Sequence, residues 1–339
     1  MVGMVLARLF QRMGVAVNFL MQPELHFKKP PVKTATPMCG IAAFFSKKPI
    51  LEAQLGALFA PMLGCLSGRG PDSAGFAIYR DEVPAGQIKV TAQHADPAYD
   101  WERLLPNVGR LIALRRISSH VVAVLEGNGE SLVEKLLKLD PTVMVMSVGR
   151  RMEIFKEKGA PCSVMERFGL PFATGSHAIG HTRMATESAV TTAGSHPFST
   201  GSDICLVHNG SLSNHNRLRR KLQRDGITFR TENDSEVAAG YLAWRLRGGD
   251  TLETALEGAL RDLDGFFTFA IGTREGFAVL RDPVACKPAV MAETEDYVAM
   301  ASEYRSLAHL PGVESARLWE PEPGRIYTWS REQRLEVAA

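Results

Sequence analysis

From His177 onwards the chain is cut into short apolar runs bounded by turn-forming residues, at 204–207, 266–271, 277–280 and 297–301. Runs this short suit strands buried in a sheet and fall below the length of a buried helix. Between them, helical spacing predicts helices at about 213–224, 234–246 and 251–263, the second opening on Asp234, a good N-cap residue. Strands in pairs alternating with helices predict stacked α and β layers.

The first part of the chain has three textures. Pro23, Pro30, Pro31 and Pro37, with Lys28, Lys29 and Lys33, make 22–37 an extended, solvated connector. Residues 39–45 then read as a buried strand, and Leu51, Leu55, Leu58, Phe59, Met62, Leu63 and Leu66 fall on one helical face that Gly68, Gly70 and Pro71 end. A second strand is expected at 76–79. The stretch 80–175 carries strands at 120–125 and 143–148 and a helix near 131–139, and reads as an inserted subdomain.

Charge narrows the function. Across 339 residues, 39 basic side chains meet 37 acidic ones for a net +2, with no basic surplus of the kind that nucleic-acid binding by counterion release requires. Arg8, Gln11 and Arg12 interrupt the apolar start, so it neither spans a membrane nor has the layout of a secretory signal. Five scattered cysteines, odd in number and never in a C-x-x-C pair, argue against a disulfide framework or structural zinc and for a reducing cytoplasm.

Five segments could carry chemistry. Met38-Cys39-Gly40-Ile41 leaves the backbone around a thiol open to a substrate, though a free cysteine in a buried strand is ordinary. Arg69-Gly70-Pro71-Asp72-Ser73-Ala74-Gly75 joins a tight turn to an arginine and a carboxylate, and is equally a capped loop or the best candidate for a mobile lid. His181-Thr182-Arg183-Met184-Ala185-Thr186 presents a guanidinium shaped to hold a carboxylate bidentately, or to make a surface ion pair. His208-Asn209-Gly210 would set an amide and an open glycine N–H at a strand end, or simply turn. Asn233-Asp234-Ser235-Glu236 puts a carboxylate at a helix start.

In this order, with Ser195-His196-Pro197-Phe198 and Arg281-Asp282-Pro283, the segments resemble the class II glutamine amidotransferases of the N-terminal nucleophile hydrolase superfamily. The likeness runs from Cys39 to about Tyr327 and is greatest to the stand-alone subunits related to glutamate synthase, in particular the amidotransferase-like subunit of N-methylglutamate synthase. It implies a four-layer α/β/β/α sandwich over 39–327, with a tail at 328–339. It also implies Cys39 as nucleophile and Asn209 with the Gly210 N–H as oxyanion donors. Arg183 and Asp234 would read the substrate's carboxylate and ammonium, with Thr186 close by and Arg69 in support. Asp72 and His196 are expected as structural supports.

Such enzymes use the α-amine of the cysteine as base, because an amine with a pKa of about 7.7 to 8.0 is poised for proton transfer near neutrality. Residues 1–38 are therefore a departure: a start codon called too far upstream, a propeptide, or the mark of a catalytically silent regulatory subunit. The first reading is preferred because Met38 directly precedes Cys39. No cofactor is expected in this chain. The resemblance implies as partners a synthase subunit of glutamate-synthase type carrying FMN and an iron–sulfur cluster, and a glycine-rich repeat subunit. The product would be N-methylglutamate or glutamate. A free-standing amidase is the other enzymatic reading.

Overall fold

The computed structural model describes residues 38–185 and 189–331. The rest of the upstream segment, Thr186 and the last part of the tail lie outside the described residues. The fold is mixed α/β, and among the described residues no helix is long and apolar enough to cross a membrane.

Gly40–Ser46 is the middle strand of a seven-stranded antiparallel sheet. The order is Arg317–Trp319, Val290–Glu293, Tyr297–Ala301, Gly40–Ser46, His177–Arg183, Ser73–Tyr79, Met152–Lys158. All seven residues of the middle strand are buried, which is why it reads as an unbroken apolar run rather than an alternating one. Side chains nonetheless alternate between the two faces. Ala42 and Phe44 join Phe59 and Leu63 of the Leu55–Cys65 helix in one cluster. Ile41, Ala43 and Phe45 join Val207, Ala270 and Val279 of a second sheet in another. Each fully buried Ile, Leu, Val or Phe among them contributes about 1.5–3 kcal/mol, and each alanine less.

That second sheet has five strands, in the order Ile326–Ser330, Gly276–Arg281, Gly265–Gly272, Ile204–Leu212, Phe198–Gly201. Its far face sends Leu206, Phe269 and Leu280 against Tyr241, Leu242 and Leu256 of the helices Asp234–Arg247 and Leu252–Asp262. Asn233, not Asp234, caps the first of these helices, because its side chain accepts from Ser235 N. Asp234 is thereby released to take the backbone N–H of Leu212 at 2.9 Å.

The stretch 80–175 divides. Leu111–Ile117, His120–Glu126, Gln87–Gln93 and Met144–Gly149 form a separate four-stranded sheet, covered by Trp101–Val108 and Gly129–Leu139 around Trp101, Leu105 and Val121. Met152–Lys158 instead pairs with Ser73–Tyr79 as the edge of the main sheet, and the Pro161–Arg167 helix buries Val164 and Met165 in the main core. The physical reason is Phe155, whose ring meets Phe76 at 5.8 Å and Phe168 at 5.4 Å. Alternating charges hid this strand, yet Glu153 lies buried among Arg80, Lys89 and Arg115 and so tolerates a core position.

One buried carboxylate ties the small sheet to the strand that leads into the candidate site. Asp203, 2% exposed, accepts from Arg150 N at 2.7 Å and from Arg151 N and Met152 N at 2.8 Å. Asp203→Ala strands three backbone donors and is expected to lower unfolding free energy by about 3 kcal/mol, with Asp203→Asn losing less because it keeps one acceptor. The check is the urea midpoint at unchanged m-value; an Ala variant within error of wild type would contradict it.

Candidate active site

Antiparallel pairing assembles the site. Because the neighbours of Gly40–Ser46 run against it, both bring their C-terminal ends to its N-terminal start, where Cys39 sits. Gly40 lies opposite Thr182, so Arg183 follows beside the thiol. On the other flank Ser302 follows Ala301, and its hydroxyl accepts from Ile41 N at 2.9 Å. The second sheet delivers Asn209 and Gly210 from within the Ile204–Leu212 strand, opposite Thr268 and Phe267.

The backbone carbonyl of Cys39 is held twice. Arg69 Nε donates to it at 3.1 Å and Asn209 Nδ2 at 3.1 Å, the latter also donating to Ser302 Oγ at 3.1 Å. Arg69 is itself paired with Glu303 at 2.7 Å. The thiol points elsewhere, donating to Met184 O at 3.6 Å. Burial raises its pKa above the ordinary 9.0, against the opposing pull of that contact and of Arg183, Lys287 and Arg69. Cys39, Arg183, Gly210 and Asp234 line one cavity of 290 Å³, together with His196 and His208. Arg69 supports this cavity from behind rather than lining it.

Two expectations are corrected here. Asn209 and Gly210 do not lie at a strand end, since the strand predicted at 204–207 runs on to Leu212. Gly210 carries the unusual backbone, with φ of 149°, and a Cβ there would stand 2.0 Å from Phe266 O, so the cross-strand approach requires glycine. Nor is the Arg69–Gly75 segment a lid. Gly70 packs so closely that a Cβ would meet the Thr182 and Arg183 backbone at 2.4–2.6 Å, and Ser73 to Gly75 belong to a buried strand paired on both sides. Asp72 N donates to Arg183 O at 3.1 Å, while Asp72 Oδ2 accepts from Ala185 N at 2.8 Å, so this carboxylate supports the loop beyond Arg183.

Reading residue types in the sequence missed several participants. His181 Nε2 lies 3.0 Å from Asn209 Oδ1 and 3.1 Å from His208 O, and burial pushes its pKa down to about 3. Its ring stacks on His196 at 4.0 Å. His208 Nδ1 meets Ser235 Oγ at 2.8 Å; burial lowers its pKa, so Asp234 at 3.9 Å faces a neutral ring rather than an ion-pair partner. Lys156 donates to the carbonyls of Ala193, Ser195 and Pro197 and so fixes the backbone that carries His196; burial pushes its pKa to about 7. His181, His208 and Ser235 each sit inside one of the five motif segments, which was the signal the sequence offered, whereas Ser302, Glu303 and Lys156 sit in none of them.

All five cysteines are free. Among the described residues no group of three or more His, Cys, Asp or Glu side chains is arranged to hold a metal ion.

A family profile described as a glutamine amidotransferase domain matches residues 181–309. The chain is 55% identical over 300 residues to the glutamine amidotransferase-like protein GlxB of Rhizobium meliloti (strain 1021), covering 87% of this chain and 99% of that one. It is 34% identical over 304 residues to a putative glutamine amidotransferase of Methanothermobacter thermautotrophicus, covering 86% and 99%. In fold it resembles the glutamine phosphoribosylpyrophosphate amidotransferase of B. subtilis, with a TM-score of 0.56 at 20% identity over 87% of this chain and 48% of that one.

The raised thiol has a direct readout. In protein that retains residues 1–38, Cys39 should alkylate with iodoacetamide slowly at neutral pH, with a rate that climbs until the pH passes 9.0. Peptide mass spectrometry across a pH series measures this, and a rate already at its plateau at pH 7 would contradict it.

Proposed function

Because the chain belongs to the glutamine amidotransferase family, we propose that it hydrolyses the side-chain amide of glutamine, with Cys39 as nucleophile and the ammonia passed to an acceptor on a partner subunit. The observation that carries this reading is the single cavity shared by a thiol, a guanidinium and a carboxylate, Cys39, Arg183 and Asp234. A simple amide has no zwitterion for such a pair to read; glutamine has both charges on its α-carbon.

In this mechanism the thiolate attacks the amide carbon, a cysteinyl thioester forms as ammonia leaves, and water releases glutamate. Asn209 and the Gly210 N–H stabilise the oxyanion. Both Nδ2 hydrogens of Asn209 are engaged, with Cys39 O and Ser302 Oγ, so the oxyanion takes one over as it forms. Loss of such a donor lowers the rate by roughly a hundred- to a thousand-fold. The base is the α-amine of Cys39 once residues 1–38 are gone. The raised thiol pKa supports the need for one, since the pocket by itself favours the neutral thiol.

The same reading extends to architecture and partners. Helix, sheet, sheet and helix in succession support a four-layer α/β/β/α sandwich of the N-terminal nucleophile hydrolase type, class II among amidotransferases, with the four-stranded sheet as its insertion. The acceptor subunit would be of glutamate-synthase type, holding FMN and an iron–sulfur cluster, alongside a glycine-rich repeat subunit, with N-methylglutamate or glutamate as product. A second reading is a catalytically silent subunit of the same complex: where residue 38 stays attached, the Cys39 nitrogen is in a peptide bond, and Met38 N donates to Arg69 O at 3.0 Å.

Intact-mass measurement of the native protein separates the two readings: an N-terminus at Cys39 is expected, and an active protein that keeps residues 1–38 would remove the α-amine from the mechanism. Cys39→Ala should abolish glutamine hydrolysis while the far-ultraviolet circular dichroism stays unchanged. Asp234→Asn should raise the KM for glutamine by about tenfold or more with the fold intact, and wild-type kinetics in that variant would take Asp234 out of the pocket.

A further inference from the structure

Asn209 must present a particular edge of its side-chain amide to the nucleophile, and the two edges are nearly identical in shape. We infer that His181, in one fixed tautomer, sets that orientation, and is the positioning residue for the oxyanion donor; the inference rests on the glutaminase reading above.

The chain of reasoning starts at a backbone carbonyl. His208 O can only accept, so the nitrogen 3.1 Å from it, His181 Nε2, carries the hydrogen. Complete burial keeps the imidazole neutral, which leaves Nδ1 bare, and Nδ1 has no partner among the described residues. With Nε2 a donor, the Asn209 atom 3.0 Å away must be the acceptor Oδ1. Nδ2 then turns toward Cys39 O and Ser302 Oγ. Ser302 does not decide the matter, because a hydroxyl serves either edge of the amide. Two groups do decide it: His181 from one side and the Cys39 carbonyl from the other.

Catalysis makes the difference between these two visible. When a forming oxyanion draws an Nδ2 hydrogen away from Cys39 O, that carbonyl stops voting, and only His181 still distinguishes the two edges. A flipped amide would set two N–H groups against each other at His181 and turn an oxygen toward the oxyanion. The imidazole is itself packed in place, stacked at 4.0 Å on His196 and carried on the buried strand next to the one that Cys39 opens. Neither His181 nor Asn209 lines the cavity, but Asn209 Nδ2 reaches the carbonyl of Cys39, a residue that does, whereas His181 reaches the site through Asn209.

The test is a double-mutant cycle on the mature, folded protein, with glutamine kinetics as readout. His181→Phe keeps a ring against His196 and removes the donor; it should lower kcat about tenfold or more and leave KM within about twofold. His181→Gln places an amide N–H near the position of Nε2 and should recover most of that loss. The double variant His181→Phe/Asn209→Ala should be no slower than Asn209→Ala alone, since the two act as one unit. Losses that add, a change confined to KM, or a Gln variant as poor as Phe would each overturn the inference. An independent arm reads the tautomer directly: in nitrogen-15 histidine NMR of the wild-type protein, the ring assigned to His181 by its absence from His181→Gln should be protonated only at Nε2 from pH 5 to 8, and is told apart by that assignment from His177, whose Nε2 faces Thr273 O. A His181 ring protonated at Nδ1 overturns the inference regardless of activity. Wild-type protein that carries the tautomer yet hydrolyses no glutamine overturns the glutaminase reading, and with it the catalytic purpose given to His181.

Discussion

The backbone carbonyl of Cys39 is the point where the two large sheets are joined at the site. Arg69 reaches it from the seven-stranded side and Asn209 from the five-stranded side, each at 3.1 Å. A carbonyl has two lone pairs, and here both are filled by side chains from different layers. The start of the central strand is thereby fixed relative to both sheets, and the residues of the cavity inherit their spacing from it. Charged and amide donors of this kind also hold better in a buried setting than in water, because the competing solvent is absent.

Burial has a second consequence, which runs through the chemistry. His181, His196 and His208 all lie in the low-dielectric space between the sheets and have their pKa values driven down, so three imidazoles near the site are neutral at working pH. Neutral rings have defined tautomers, which makes them useful for orienting other groups and poor as cationic partners for a thiolate. The same desolvation raises Cys39. A pocket built in this way positions well and activates weakly, and the proposed α-amine supplies the activation that the surrounding side chains do not.

The turn that begins at Arg69 illustrates how packing overrules composition. Glycine, proline and a small polar residue together suggest mobility, yet Gly70 has no side chain because the Thr182 and Arg183 backbone occupies its space. Asp72 then supports the loop after Arg183 through Ala185 N. Asp203 performs the corresponding task at the junction of the small sheet and the Ile204–Leu212 strand. In each case a carboxylate satisfies backbone donors that no strand partner could reach.

Much of this was legible in the chain itself. Unbroken apolar runs at 40–45, 266–271 and 297–301 mark strands buried on both faces, and helical spacing from Leu55 marks the helix over them, because period and hydrophobicity are local properties. Cys39, Arg183, Asn209, Gly210 and Asp234 could be named only through the resemblance of their motifs, taken in order, to a known family, since each motif alone is equally an ordinary structural feature; the fold brings Cys39, Arg183, Gly210 and Asp234 to one cavity. Met152–Lys158 could not be assigned to the main sheet, since the charge of its Glu153 is neutralised by Arg80, Lys89 and Arg115 from distant segments and its Lys156 is satisfied by backbone carbonyls. Asn233 rather than Asp234 as the cap, the passage of the strand through Asn209, and the His208–His181–Asn209–Cys39 series of hydrogen bonds were likewise beyond reach. Sequence determined which groups the chain has and which segments bury them. Tertiary structure alone decided which way those groups face, because a hydrogen bond's direction depends on partners from separate layers that meet only in the folded chain.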